Sequence, residues 1–181
     1  MTMPSFRLFA TLCLLACMSA LASTDSLPLS GAGASAMQSI PTADRVLVRK
    51  GERRLYLMRG ESVLRSYKIA LGLNPVGQKE RSGDFRTPEG RYRLTRRNPR
   101  SDFFLSIQVS YPNDDDIKRA RRKGWDTGGS IMIHGLPNQL KHSPIYYESR
   151  DWTDGCIAVT NSDIVEIWLL TADNAPIDIL P

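Results

Sequence analysis

Two side chains in this sequence have the types and spacing to make an activated nucleophile. Cys156 lies in "WTDGCIAV", directly behind a glycine and ahead of an apolar run. His134 lies in "MIHGL", at the end of an apolar stretch and 22 residues earlier. A thiol attacks a carbonyl well only as thiolate, and a nearby imidazole can take its proton. A histidine that ends a strand is rigidly held, and the loop after it can fold back to bring Cys156 alongside. Gly155 removes the side chain next to the sulfur. The backbone N–H groups of Gly155 and Cys156 are then expected to face the oxyanion of a tetrahedral intermediate.

Other readings of the same residues stand beside this one. Cys156 can be a buried, inert small hydrophobe, and His134 a satisfied core histidine. His134, His142, Cys156 and an aspartate can also hold a zinc ion, although His-x7-His is not a compact ligand pair. Papain-like enzymes pair a cysteine with a histidine too, but there the cysteine comes first in the chain.

The cysteine count bears on the choice. The three cysteines are Cys13, Cys17 and Cys156. The first two fall in residues 1–22, which read as a signal peptide: Arg7, an apolar core over 8–16, and the small-x-small site Ala20-Leu21-Ala22. "LLAC" also resembles a bacterial lipobox, with Cys17 lipidated and made the new N-terminus. A retained anchor is a third reading, though the apolar core is short for a membrane span. Cleavage leaves one thiol in a domain expected in the periplasm or cell envelope, where cysteines normally pair. An odd thiol in such a place suggests reactivity or an intermolecular bridge.

The 181 residues suffice for one domain, and 41% apolar with 24% charged residues is ordinary for a globular protein. The net charge of +5 favours anionic surroundings, and a solvated basic surface accounts for it equally well. No aromatic interleaving or nucleic-acid motif accompanies the basic run near residue 120, so nucleic acid is not expected as a partner.

The elements that must position Cys156 and His134 follow from the hydrophobic pattern. Residues 23–43, rich in Ser, Ala, Gly and Pro, read as a flexible linker, and the domain as 44–181. "RVLVRK" and "RRLYLMRG" alternate around "GE", a hairpin signature, and "ESVLRSYKIALG" adds a third strand. Leu47, Leu55, Leu57, Val63 and Ile69 are expected inward, with the interleaved Arg and Lys in solvent. Residues 73–90 form a long Gly/Pro-containing loop, a length usually tied to function. Strands are expected at "RYRLTRR", "DFFLSIQVSY", "GSIMIHGL", "IAVTN" and "APIDIL". "NDDDIKRARRKGW" reads as a short helix with acids first and bases last. "NSDIVEIWLLTAD" reads as a helix capped by Asn161 or Ser162, with Ile164, Val165, Ile167, Trp168 and Leu169 as its apolar face. The expected class is mainly β with one or two peripheral helices.

"IMIHGLPN" followed by "WTDGCIAVTNSDIVEIW" resembles the YkuD-type L,D-transpeptidase catalytic domain, in its YafK-like subgroup. "SGDFRTPEGRYRL" resembles the loop and strand that precede the catalytic part of that family. The resemblance spans 44–181 and implies a compact β-sandwich. It implies a cysteine acyltransferase that attacks the bond between a diaminopimelate L-centre and D-alanine in a peptidoglycan stem peptide, through a thioester on Cys156. His134 matches the general base, Gly155 the motif glycine, and Thr153 its Ser/Thr. Asp154 stands where many members have a second histidine, and Ala158 where many have Arg or Asn. Both departures bear on the acceptor. No metal or organic cofactor is implied. The acceptor can be an amine, including one on an envelope protein, or water, which makes the enzyme a carboxypeptidase or endopeptidase. A non-catalytic wall-binding module is a further reading. Arg81 and Arg86 can offer guanidinium forks to stem-peptide carboxylates. A monomer is expected, with membrane contact only through a lipid anchor.

Overall fold

The computed structural model describes residues 41–181. The signal peptide, the lipobox and nearly all of the linker lie outside the described residues. Eight strands form one sheet in the order β3-β2-β1-β8-β4-β5-β6-β7. They are β1 (Arg45–Arg49), β2 (Arg54–Arg59), β3 (Ser62–Lys68), β4 (Gly90–Ser101), β5 (Phe104–Val109), β6 (Met132–His134), β7 (Ile157–Ala158) and β8 (Pro176–Leu180). Three helices accompany them: α1 (Asp114–Arg122), α2 (Pro144–Ser149) and α3 (Asn161–Leu170). The class is mainly β, as expected.

The long strand β4 joins two halves of the sheet. Its first residues, Gly90 to Arg93, pair with β8. From Leu94 onward it pairs with β5, and the register shifts twice along that ladder. Such irregularities bend a strand and increase its twist. Val46, Val48, Leu55, Leu57, Ile177 and Ile179 from one half share a single core with Leu94, Ile107, Val109, Ile133 and Ile157 from the other. Ile164 and Ile167 of α3 belong to the same core.

Five expectations change. In β1 it is Val46 and Val48, not Leu47, that face the core. "VLV" is apolar at both parities, and a one-residue choice of parity swaps the faces. Val63 is 54% exposed, on the strand β3 that forms one edge of the sheet. In α3 the buried residues are Ile164, Ile167 and Leu170, whereas Val165 and Leu169 are exposed. Its cap is Thr160, whose side chain accepts from the Asp163 N–H. The third helix, α2, was not expected. It is a single short turn-and-a-half with proline in its first turn, too short to show a periodicity.

Candidate active site

β6 runs antiparallel to β5 and parallel to β7, with Ile133 opposite Ile157 and His134 opposite Ala158. Cys156 stands two residues before Ala158 and immediately ahead of β7, so it enters the sheet on the strand beside the one that His134 ends.

His134 is only 3% exposed. Its Nδ1 is 2.7 Å from the Gly135 carbonyl oxygen. A carbonyl can only accept, so Nδ1 carries the proton and Nε2 keeps its lone pair free. The ring packs against Phe103 at 4.4 Å and edge-on to Trp152 at 5.7 Å between centroids. Burial among these rings disfavours the charged form and pushes the imidazole down to about 4. Burial likewise pushes the Cys156 thiol up, and the exposed Asp154 carboxylate adds to that; the Met132 backbone and Lys79 act the other way. The Cys156 Sγ lies 3.6 Å from the Ser130 carbonyl, to which the thiol donates. The resting pair at neutral pH is thus a thiol and a neutral imidazole.

The turn that carries Cys156 is tied by Thr153. Its Oγ1 donates to the Cys156 carbonyl at 2.7 Å and accepts from the Gly155 N–H at 3.2 Å. This corrects the expectation for the oxyanion site, because the Gly155 N–H is already engaged. The Cys156 N–H has no acceptor among the described residues. Gly155 has φ +131°, and a Cβ there would lie 2.6 Å from the Arg86 carbonyl oxygen. The glycine is required by close backbone packing as well as by access to the sulfur.

The loop over 73–90 therefore abuts the Cys156 turn. Leu73 N–H donates to the Thr153 carbonyl at 2.9 Å, and Thr153 N–H to the Leu71 carbonyl at 3.1 Å. Arg86 Nη1 donates within its own loop to the Gln78 carbonyl at 3.2 Å, and its buried Nε has no partner. Arg81 is exposed, with its guanidinium 5.3 Å from the Trp125 ring. The two arginines line one cleft of about 340 Å³ together with Asn74, Trp125 and two carboxylates, Glu80 and Asp84. Only Arg86 is joined by direct packing to the Cys156 turn.

His142 is not brought to this site. It is exposed and stacks on Tyr146 at 4.1 Å. Among the described residues no three His, Cys, Asp or Glu side chains are placed to hold a metal ion.

Three supporting residues were not expected. Phe103, at the tip of the β4–β5 hairpin, and Trp152, four residues before Cys156, enclose the imidazole. Asn161 Oδ1 accepts from the Leu136 N–H at 2.8 Å and fixes the chain just after His134. An asparagine at the end of "IAVTN" is a readable signal, but in sequence it reads equally as a helix cap. An aromatic such as Phe103 in "DFFL" is indistinguishable in sequence from a core residue.

The sequence pattern of the YkuD L,D-transpeptidase catalytic domain matches residues 43–179. The chain is 35% identical over 118 residues to "Putative L,D-transpeptidase YafK" of Escherichia coli, which covers 63% of this chain and 40% of that protein. It thus spans about two fifths of the length of that relative. The helical cell shape determining protein Pgp2 of Campylobacter jejuni superposes with TM-score 0.55 at 29% identity, over 75% of this chain and 46% of that one. Bd1075 of Bdellovibrio bacteriovorus does so with TM-score 0.50 at 29% identity, over 75% and 46%. An L,D-transpeptidase from Mycobacterium smegmatis shares the fold at TM-score 0.50 and 11% identity, over 76% and 58%. With three quarters of its length matched, the chain belongs to the YkuD L,D-transpeptidase catalytic domain family.

Proposed function

We infer that this domain transfers acyl groups of peptidoglycan stem peptides through a thioester on Cys156. The observation that carries the reading is the state of His134: Nδ1–H held by Gly135, Nε2 free, and the ring neutral at physiological pH. A base in that state can take a proton directly from a neutral thiol.

The reaction then runs as follows. Sγ attacks the carbonyl carbon between the diaminopimelate L-centre and D-alanine, while Nε2 takes the thiol proton. The Cys156 N–H faces the oxyanion. The C–N bond breaks as the imidazolium returns its proton to the departing D-alanine amine, leaving the thioester. An acceptor amine next gives a proton to Nε2 and attacks the thioester carbonyl. That proton returns to Sγ as the thiol leaves. Thr153 and Gly155 hold the turn, and Asp154 lies on its solvent side. Arg86, with Arg81 further out, recognises stem-peptide carboxylates. The substrate lies outside the cytoplasm, so residues 1–22 act as the export signal.

Incubation with defined muropeptides, with and without an amine acceptor, tests the reading by mass spectrometry. Loss of D-alanine with incorporation of the amine is the expected result. Loss of D-alanine with water alone as acceptor assigns hydrolysis, and no product in either arm removes the reading.

A further inference from the structure

The loop that abuts the Cys156 turn is held from inside by a lysine that was expected in solvent. Lys50 follows β1 and is 2% exposed. Its Nζ donates to the Gly77 carbonyl at 2.7 Å, the Thr87 carbonyl at 2.9 Å and Glu89 Oε1 at 2.8 Å. An ammonium has three donors, and all three are used. Burial alone would drive such a group towards neutrality, and the Glu89 carboxylate opposes this. One atom thereby ties both ends of the 73–90 loop to the sheet. Lys79, also buried, ties only the middle of the loop, through Asp84 at 2.7 Å and the Arg81 carbonyl at 3.0 Å.

From Lys50 to the sulfur the contacts are nearly all backbone. Thr87, whose carbonyl Lys50 holds, accepts the Gly72 N–H on its Oγ1 at 3.2 Å. Asn74 N–H reaches the Phe85 carbonyl at 3.1 Å. The Cβ position of Gly72 lies 3.1 Å from the Gly155 Cα, and that of Gly155 lies 2.6 Å from the Arg86 carbonyl oxygen. Side chains absorb a displacement by changing rotamer; backbone packed on backbone does not. A shift of the Thr87 carbonyl must therefore reach Gly155, and with it the Cys156 N–H and thiol.

We propose that Lys50 is a positioning residue for acyl transfer: by fixing the Gly77 and Thr87 carbonyls it sets where the loop backbone presses on Gly155. The proposal rests on Cys156 being the nucleophile. A misplacement of about 1 Å at a reacting group costs on the order of a hundredfold in rate, so a remote tether of this kind has a kinetic signature.

The test is the rate of Cys156 acylation by a carbapenem, followed by intact mass, because that acyl donor needs no stem peptide. Lys50→Met alone leaves the Glu89 carboxylate without its partner and can unfold the protein. The variant to use is Lys50→Met/Glu89→Leu, since a buried ion pair replaced by apolar groups often keeps its stability. With thermal midpoint and near-UV dichroism retained, acylation is expected to slow by about tenfold or more. Lys50→Arg, which keeps the buried cation but not the compact three-donor head, is expected to fall between the wild type and the double variant. A folded double variant acylated at the wild-type rate overturns the proposal, as does a Lys50→Arg variant no faster than the double variant. If the double variant does not fold, Glu89→Gln decides: a loss of about threefold or more supports the proposal and an unchanged rate overturns it. Muropeptide turnover is measured on the same wild-type sample. Acylation by the carbapenem without muropeptide turnover removes the substrate reading and leaves this test intact.

Discussion

The Phe103 ring lies 4.4 Å from the His134 ring, centroid to centroid, and tilted by 41°. With Trp152 on another side, it keeps water from an imidazole that must stay neutral to act as a base. The depressed value of about 4 has a direct kinetic consequence. Activity as kcat/KM should hold down to mildly acidic pH and fall only as pH drops through about 4. Phe103→Ala admits water and moves the imidazole back towards its ordinary value. The acid limb of the pH–rate profile then moves up, so that activity is lost already between about pH 5 and 6. An unchanged limb in Phe103→Ala assigns the depression to other neighbours.

The same group contributes to stability with a defined sign. The unfolded chain binds a proton at His134 near 6.5 and the folded protein only near 4. Its stabilising effect is full above about 6.5 and lost as pH falls through about 4, a span worth roughly 3 kcal/mol. Urea midpoints measured from pH 7 to 4 should fall more steeply for the wild type than for His134→Gln. Parallel curves show that other groups dominate acid unfolding.

Gly155 is expected to accept no side chain. A methyl group at 155 meets the Arg86 carbonyl at 2.6 Å, at a φ of +131° that L-residues rarely adopt. Gly155→Ala should lower the thermal midpoint and slow acylation of Cys156 together, because the loop or the turn must move. The comparison is Gly60→Ala, where φ is +56° but nothing lies within 4 Å. It carries the milder strain of the left-handed region without the clash. Equal effects on acylation in the two variants show that the Arg86 contact is not responsible.

Much of this site was legible in the sequence, and the reasons for the rest are physical. Cys156 and His134 stood out because each is a rare type at a place where a bland residue would serve the fold equally well, and Gly155 because it directly precedes the thiol. The hairpin, the strand before His134 and the helix after Cys156 followed from apolar periodicity and turn residues. Lys50 could not be read as buried, because a lysine after an alternating strand is normally in solvent. Its partners are the Gly77 and Thr87 carbonyls and Glu89, which are brought to it by tertiary folding. Leu47 failed for a local reason: "VLV" fits either face, and the choice is made by pairing with Asp178 and Tyr56 on the outer side.

Cys156→Ala is expected to abolish turnover while the fold is kept, since a small side chain at a half-buried site costs on the order of 1 kcal/mol or less. Loss of the base in His134→Gln should cost about 10²- to 10⁴-fold in rate. His142→Gln should leave the rate unchanged, because that ring is exposed against Tyr146 and outside the site. Muropeptide kinetics on the three variants check this. Retained turnover in Cys156→Ala removes the nucleophile assignment, and a larger loss in His142→Gln than in His134→Gln reverses the choice of base.

Arg86 serves two neighbours, and a split in kinetics separates them. Its carbonyl packs on Gly155 whatever its side chain, so substitution of the side chain leaves that contact in place. Its guanidinium lines the cleft with Arg81 and has one partner, the Gln78 carbonyl, with Nε left free. If the guanidinium binds a stem-peptide carboxylate, Arg86→Ala removes a charge-assisted contact of roughly 1.5–3 kcal/mol. That corresponds to about a ten- to hundredfold loss of kcat/KM for stem peptides. Alkylation of Cys156 by a small neutral reagent should be unaffected, because the reagent has no carboxylate to lose. Arg86→Lys should recover part of the loss, as a point charge without the planar fork. Arg81→Ala should have the smaller effect, since Arg81 is exposed over Trp125 and makes no direct contact with the Cys156 turn. Equal falls in both reactions assign Arg86 to holding the loop through Gln78. No change in either places the carboxylate site elsewhere. Asp151 would not supply it, because a carboxylate repels a carboxylate; its own charge is held by Arg53 at 2.8 Å and by the Leu71 N–H at 2.8 Å.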